Sequence, residues 1–131
     1  MNKKLDIILA EISAGELIDK ITILEIKKEK INNTDKLKSV EKELLSLNNI
    51  LEKTIPDISE IKLLIDKLKF INLKLWDIEN GKRDAEKNKD FGERFIELAR
   101  QVYKNNDERS KIKLEINNVL GSNIKEVKSH Y

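Results

Sequence analysis

Cysteine is absent from this 131-residue chain, which excludes a disulfide framework and any thiolate metal site. Histidine is nearly absent: the single one, His130, stands beside the C-terminus. A histidine-based metal cluster within one subunit is therefore excluded, and neither a metal nor a cofactor is expected. One proline, Pro56, and four glycines, Gly15, Gly81, Gly92 and Gly121, leave few points at which a helix must stop. No apolar run approaches the roughly 20 residues of a membrane span. The opening MNKKLDIILAEIS pairs a basic start with a short apolar run. Asp6 and Glu11 break that run and no cleavage-type ending follows, so it does not read as a signal peptide, and a cytoplasmic protein is expected. An excess of one charge is lacking as well. The 26 basic and 24 acidic residues leave a formal net charge of +2, and they are interleaved. A binder of the phosphate backbone usually gathers basic charge on one face, so nucleic acid is not an expected partner. No Ser or Thr sits in a strand–turn–helix elbow and no glycine loop could cradle a phosphate. The sequence thus shows no recognisable catalytic constellation and names no reaction.

What is present is helix. Hydrophobic residues make up 39% and charged residues 38%, a mixture that suits amphipathic helices with solvated outer faces. It is too apolar and too periodic for a disordered chain. The expectation is an all-α fold of about four helices, an antiparallel bundle built around a long helical hairpin. It forms a single domain over 1–131, with 1–12 as an arm or short strand and 122–131 as a tail.

The first helix is expected to start near Ser13, where Ser13-Ala14-Gly15-Glu16 has the form of a capping box. Leu17, Ile21, Leu24 and Ile31 make its stripe, and Ile18, Ile23 and Ile26 widen it, which implies burial on more than one side. The second helix, about 35–53 with Thr34 as its cap, carries Leu37, Val40, Leu44, Leu47 and Leu51 in a coiled-coil-like 3-4 rhythm. Pro56 suits the first turn of a third helix, expected over 57–88 with Ile61, Leu64, Leu68, Ile71, Leu75 and Ile78 as its seam. Gly81 costs about 1 kcal/mol relative to alanine inside a helix, so this end is expected to be weak or kinked. The fourth helix follows to Leu120, with Gly121 at the position after its end. Thirty residues of helix span about 45 Å. The long third and fourth helices should therefore project beyond the shorter pair, and an apolar projecting end favours a homo-oligomer.

The fourth helix interrupts its own stripe. Phe91, Phe95, Leu98 and Val102 lead to Asn105 and Arg109, and apolar residues resume at Ile112, Ile116 and Val119. Each missing large apolar side chain forgoes roughly 1.5–3 kcal/mol of burial. A ligand site, a register device or an uncovered surface would each account for the break. Arginine is rare: Arg83, Arg94, Arg100 and Arg109, all in the second half. Its planar fork offers carboxylate or phosphate a bidentate contact that lysine cannot copy. Asn72, Trp76, Glu79 and Arg83 share one helix face at spacings of 4, 3 and 4. Arg100, Tyr103, Asn106, Asp107 and Arg109 form the polar block, in which Arg100 and Tyr103 are placed to meet one anion and Asp107 to pair with a basic residue on another helix. These nine residues are the candidate ligand contacts. The bland alternatives stand beside them: a Glu79–Arg83 ion pair at i, i+4, a tryptophan packed at the bundle edge, and a solvated polar layer. If Arg109 serves a ligand rather than the fold, Arg109→Leu should restore the stripe and raise stability.

Two functions follow as expectations. One is a helical interaction or assembly module, self-associating or with a protein partner. The other is a site for a small anionic ligand such as a sugar phosphate or nucleotide sugar. Four segments in combination resemble a small helical family of bacteria and phages that carries only a domain-of-unknown-function label. They are Ser13-Ala-Gly-Glu-Leu-Ile-Asp-Lys-Ile21, Asn72-Leu-Lys-Leu-Trp-Asp-Ile-Glu79, Phe95-Ile-Glu-Leu-Ala-Arg-Gln-Val-Tyr103 with Asn106-Asp107-Glu-Arg109, and Gly121-Ser122 with Lys128-Ser129 and Tyr131. The resemblance covers nearly the whole chain. It implies a compact helical protein, no assigned reaction, and for some relatives a link to surface-glycan glycosylation. The family pattern has an acidic residue and an arginine after the Trp segment, where this chain reads Glu79-Asn80-Gly81-Lys82-Arg83. In the tail it has two glutamates before Lys-Ser-Tyr, where this chain reads Glu126-Val127-Lys128-Ser129-His130-Tyr131.

Overall fold

Four α-helices carry the chain: α1 Ala14–Lys30, α2 Thr34–Thr54, α3 Lys62–Lys87 and α4 Glu93–Leu120, with a 3-10 turn at Ser59–Ile61 before α3. The computed structural model describes residues 3–129. Met1, Asn2, His130 and Tyr131, and with them the expectations for the sole histidine and for the extreme ends of arm and tail, lie outside the described residues. No strand occurs among the described residues, and residues 3–12 form an exposed arm without regular secondary structure. The all-α expectation and the number of helices hold.

α1 is the central element. One side of it, Leu17, Ile21 and Leu24, packs with Val40 and Leu44 of α2, and Leu47 and Leu51 close that layer. The adjoining side puts Ile18 into a second core with Ile61, Leu68, Ile112 and Ile116. This is the two-sided burial that the broad stripe of α1 demands. α3 and α4 form an antiparallel hairpin, and α1 contacts both of its arms, whereas α2 meets α1 among the helices. Only the end of α2, through Leu51 and the following Ile55, reaches the second core.

Three local expectations are corrected. α2 is capped by Asn33, whose Oδ1 accepts from Lys36 N at 3.0 Å, not by Thr34, which is the first helical residue. α3 begins at Lys62 rather than near residue 57. Asp57 Oδ1 instead accepts from Ser59 N at 2.9 Å, which closes a turn and holds this exposed carboxyl below its ordinary pKa. The 3-10 turn that follows seats Ile61 fully in the core. α3 does not break at Gly81 but continues to Lys87. A Cβ there would meet Leu98 Cδ1 at 3.3 Å, so the glycine lets α3 and α4 approach closely near the hairpin turn. Gly121 does adopt the left-handed conformation expected after a helix, with φ 65°.

Candidate functional site

The break in the α4 stripe is filled from α1. Asp19, 1% exposed, stands inside the apolar surface of α1. Its Oδ1 accepts from Arg109 Nε at 2.9 Å, and its Oδ2 accepts from Arg109 Nη2, a bidentate pair between residues 90 positions apart. Asn72 of α3 completes the junction: its Nδ2 donates to Asp19 Oδ1 and to Thr22 Oγ1, both at 2.9 Å. Thr22 Oγ1 in turn donates to the Asp19 carbonyl at 2.8 Å. The remaining fork atom, Arg109 Nη1, donates to Asn106 Oδ1 at 3.3 Å. The hydrogen bonds to Asp19, outweighing burial, hold the Arg109 pKa above its ordinary value. The carboxylate thus takes three donors on its two oxygens. Its chemical work is to hold Arg109 and Asn72 in place. Asn105, the other break in the stripe, turns back on its own helix and donates to the Gln101 carbonyl at 2.8 Å.

Above this network lies a cleft of about 440 Å³ lined by Ile23 and Ile26 of α1, by Asn72, Leu75, Trp76, Glu79, Asn80 and Arg83 of α3, and by Arg109 of α4. That size is within the range of small-molecule sites. Apolar walls flank the Trp76 ring, and the polar groups stand at the floor and rim. Glu79, which the bland alternative pairs with Arg83, is turned to Lys82 at 3.5 Å, so the Arg83 fork at the rim is not spent on it. Asn72 uses its amide nitrogen for the network. Four candidate residues of α3 and Arg109 of the polar block thus share one concavity.

The rest of the polar block points elsewhere. Tyr103 and Asp107 line a groove of about 860 Å³ between α4 and the tail, with Ser110, Lys111, Lys113, Leu114, Glu126 and Lys128. Asn106 and Arg109 reach a neighbouring hollow beneath the tail. Asp107 does find a basic partner, but on the tail rather than on a helix: Lys128 Nζ at 3.0 Å. Arg100 lines none of these three concavities.

Sequence reasoning missed the seam between α1, α4 and the tail. Lys113 is buried and donates to Glu16 at 2.7 Å and to Glu126 at 2.8 Å. Burial alone would lower its pKa, but the two carboxylates outweigh it and raise the ammonium above its ordinary 10.5. Three first-turn amides of α1 are satisfied around it. Ala14 N donates to Ser122 Oγ at 3.1 Å, Gly15 N to Asn117 Oδ1 at 2.7 Å and Glu16 N to Ser13 Oγ at 3.1 Å. Ser13 is the expected cap, while the Glu16 carboxylate is used on Lys113 rather than on the cap amide. A Cβ on Gly15 would stand 2.5 Å from the Lys113 carbonyl oxygen, so only glycine permits this approach. The signal that could have exposed the junction is complementary: an acid breaks the α1 stripe and an arginine breaks the α4 stripe.

Among the described residues no group of three acidic or histidine side chains is placed to hold a metal ion, and no helix is long and apolar enough to cross a membrane. No curated protein and no solved structure matches the chain significantly. A family model does match, over residues 8–131, a span that holds the whole helical scaffold, the Asp19–Arg109 junction and the Trp76 cleft. The chain therefore belongs to the family of unknown function DUF6165.

Proposed function

We propose that this chain is a binding module for a small anionic ligand of the sugar-phosphate or nucleotide-sugar class, taken in the Trp76 cleft. The observation that carries the proposal is convergence: Asn72, Trp76, Glu79, Arg83 and Arg109 line one concavity with apolar walls. Each polar group has a distinct use. Arg109 is committed to Asp19 and forms a fixed floor rather than an anion contact. Arg83 supplies the fork for a phosphate or carboxylate. Trp76 offers a face for a sugar or base ring, and the Asn72 carbonyl accepts from a ligand hydroxyl. A link to surface-glycan glycosylation, implied by the family resemblance, accords with that ligand class.

Trp76 is the only tryptophan, so its fluorescence reports on the cleft directly. Titration with nucleotide sugars and sugar phosphates should change that emission and raise the melting temperature. A ligand at 100 times its Kd adds about 2.7 kcal/mol of stability. Arg83→Gln should weaken binding tenfold or more, about the 1.4 kcal/mol per decade expected for a charge-assisted contact. Unchanged fluorescence and melting temperature across both ligand classes would refute the proposal.

A second function, self-association in the cytoplasm as a helical assembly module, is favoured by large apolar side chains left in solvent. Leu5, Ile7, Ile8 and Leu9 of the arm, Leu45 of α2, and Leu63 and Phe70 of α3 are all exposed. The seam of α2 has the spacing of a coiled coil, and its outer Leu45 is free for a partner helix. Sedimentation equilibrium decides it, since a monomer at high micromolar concentration would exclude self-association.

A further inference from the structure

The N-terminal arm is the least economical part of the molecule. Leu5, Ile7, Ile8 and Leu9 are 81–88% exposed, four large aliphatic side chains within five residues that touch almost nothing. Polar arms do not carry such a run, and an apolar arm in water is what a docking segment looks like before it docks. Its root is not free to swing. Ser13 has extended backbone angles and its Oγ holds Glu16 N, while the next amide, Ala14 N, is held by Ser122 of the tail. The arm leaves this anchored root clear of its own surface.

Beside the root runs the groove between α4 and the tail. Ser122 Oγ also donates to the Ile124 carbonyl at 2.7 Å, and two residues further on Glu126 is tied to Lys113. Lys128 is tied to Asp107. These bonds hold the tail off α4 as the far wall of a cavity of about 860 Å³. On the α4 wall Tyr103 and Leu114 offer apolar surface, and both are exposed. The helix between them spans about 16 Å at 1.5 Å per residue. Extended chain from Leu5 to Ile12 spans about 23 Å, enough to fill the groove with one residue to spare at either end. Charge agrees as well: residues 5–12 carry Asp6 and Glu11 and no base, while the groove's Lys111, Lys113 and Lys128 outnumber its Asp107 and Glu126.

We propose that the α4–tail groove receives the N-terminal arm of a second copy of this chain, each copy giving its arm to the other in a two-fold dimer. The proposal rests on the self-association read above and names its interface. Because the exchange is symmetric, a change in the arm acts twice. Ile8→Asp should therefore weaken the dimer roughly 100-fold or more, twice the effect of moving one large aliphatic out of an apolar site. It should leave the helical circular dichroism unchanged, because Ile8 touches no core residue. Leu114→Asp should do the same from the other side.

The absence of cysteine makes the decisive test clean. One chain carries Ile8→Cys, and a second chain, extended by a tag so that its mass differs, carries Leu114→Cys. The two are mixed and treated with a short bismaleimide, and a crosslink joining the two masses is the expected result. Crosslinks between two Ile8→Cys chains, with none to Leu114→Cys, would overturn the proposal in favour of arms pairing with each other. A chain carrying both cysteines that closes within itself at every dilution would overturn it in favour of its own arm. A dimer that persists after Ile8→Asp would overturn arm exchange while leaving self-association standing, and a monomer at high micromolar concentration would remove both.

Discussion

Replacing Arg109 by leucine tests the centre of this structure, and the stripe and the structure predict opposite signs. From the α4 stripe alone the change restores a missing apolar position and should stabilise. In the folded protein it removes two of the three donors on Asp19, a carboxylate 1% exposed. Breaking a buried pair by deleting one partner costs about 3–5 kcal/mol, because the remaining charge is left uncompensated. The new leucine gives back at most about 2 kcal/mol, since the Arg109 side chain is itself 28% exposed and its position is incompletely covered. The net loss is at least about 1–3 kcal/mol. At roughly 4 °C per kcal/mol for a domain of this size, the melting temperature should fall by at least about 4–12 °C. The assay is thermal unfolding followed by far-ultraviolet circular dichroism, run as a cycle with Asp19→Leu and the double variant. Asp19→Leu should lose less, because the orphaned guanidinium can reach water. The double variant should recover most of the loss, since an apolar pair of similar volume is often neutral or better. A melting temperature for Arg109→Leu equal to or above that of the wild type would refute the pairing energetics, and with them the claim that Arg109 is held for the fold rather than for an anion.

Two further outcomes separate effects that look alike in the sequence. Gly15→Ala should destabilise by about 1–3 kcal/mol in urea unfolding, because the added methyl meets the rigid Lys113 carbonyl. Gly81→Ala should stay within about 1 kcal/mol of wild type or exceed it, because it gains helix propensity and meets only the flexible end of Leu98; equal losses at both sites would contradict the packing. The folded pKa of Lys113 is raised, so its contribution to stability is complete below its ordinary 10.5 and is lost as pH climbs through the higher folded value. Stability measured by urea unfolding should therefore fall above about pH 10.5 in the wild type, and Lys113→Met should flatten that part of the decline; parallel curves would show that Glu16 and Glu126 do not hold the ammonium.

The helices were legible in the sequence because each is written in its own residues. Ser13 caps α1, Gly121 ends α4, and the double stripe of α1 announces two packing surfaces that Val40 and Leu44 on one side and Leu68 and Ile116 on the other do fill. At Gly81 the cost in propensity was legible because it is local, whereas its contact, Leu98 on the next helix, was not. The candidate site was legible on α3, where Asn72, Trp76, Glu79 and Arg83 share a face by spacing alone. It was not legible across helices. Asp19, Thr22, Lys113 and Asn117 look like ordinary helix residues until a partner 50 to 102 positions away is brought beside them. Arg109 was singled out as an interruption, but whether it serves a ligand or the fold could not be read from its own helix, because its carboxylate lies on another.

The seam that joins the start of α1 to the end of α4 also sets an order in time. Gly15 and Asn117 are 102 positions apart and Asp19 and Arg109 are 90, so on a ribosome adding about 5–20 residues per second α1 waits roughly 5–20 s for its polar partners. α2 arrives almost at once and can cover Leu17, Ile21 and Leu24 in a local hairpin, but Asp19 lacks Arg109, and Ile18 lacks Ile112 and Ile116, until α4 is made. The nascent chain should therefore pass through an α1–α2 hairpin with one sticky face, a natural client for a holding chaperone. Chains arrested before residue 109 should bind a hydrophobic dye that chains released at full length do not.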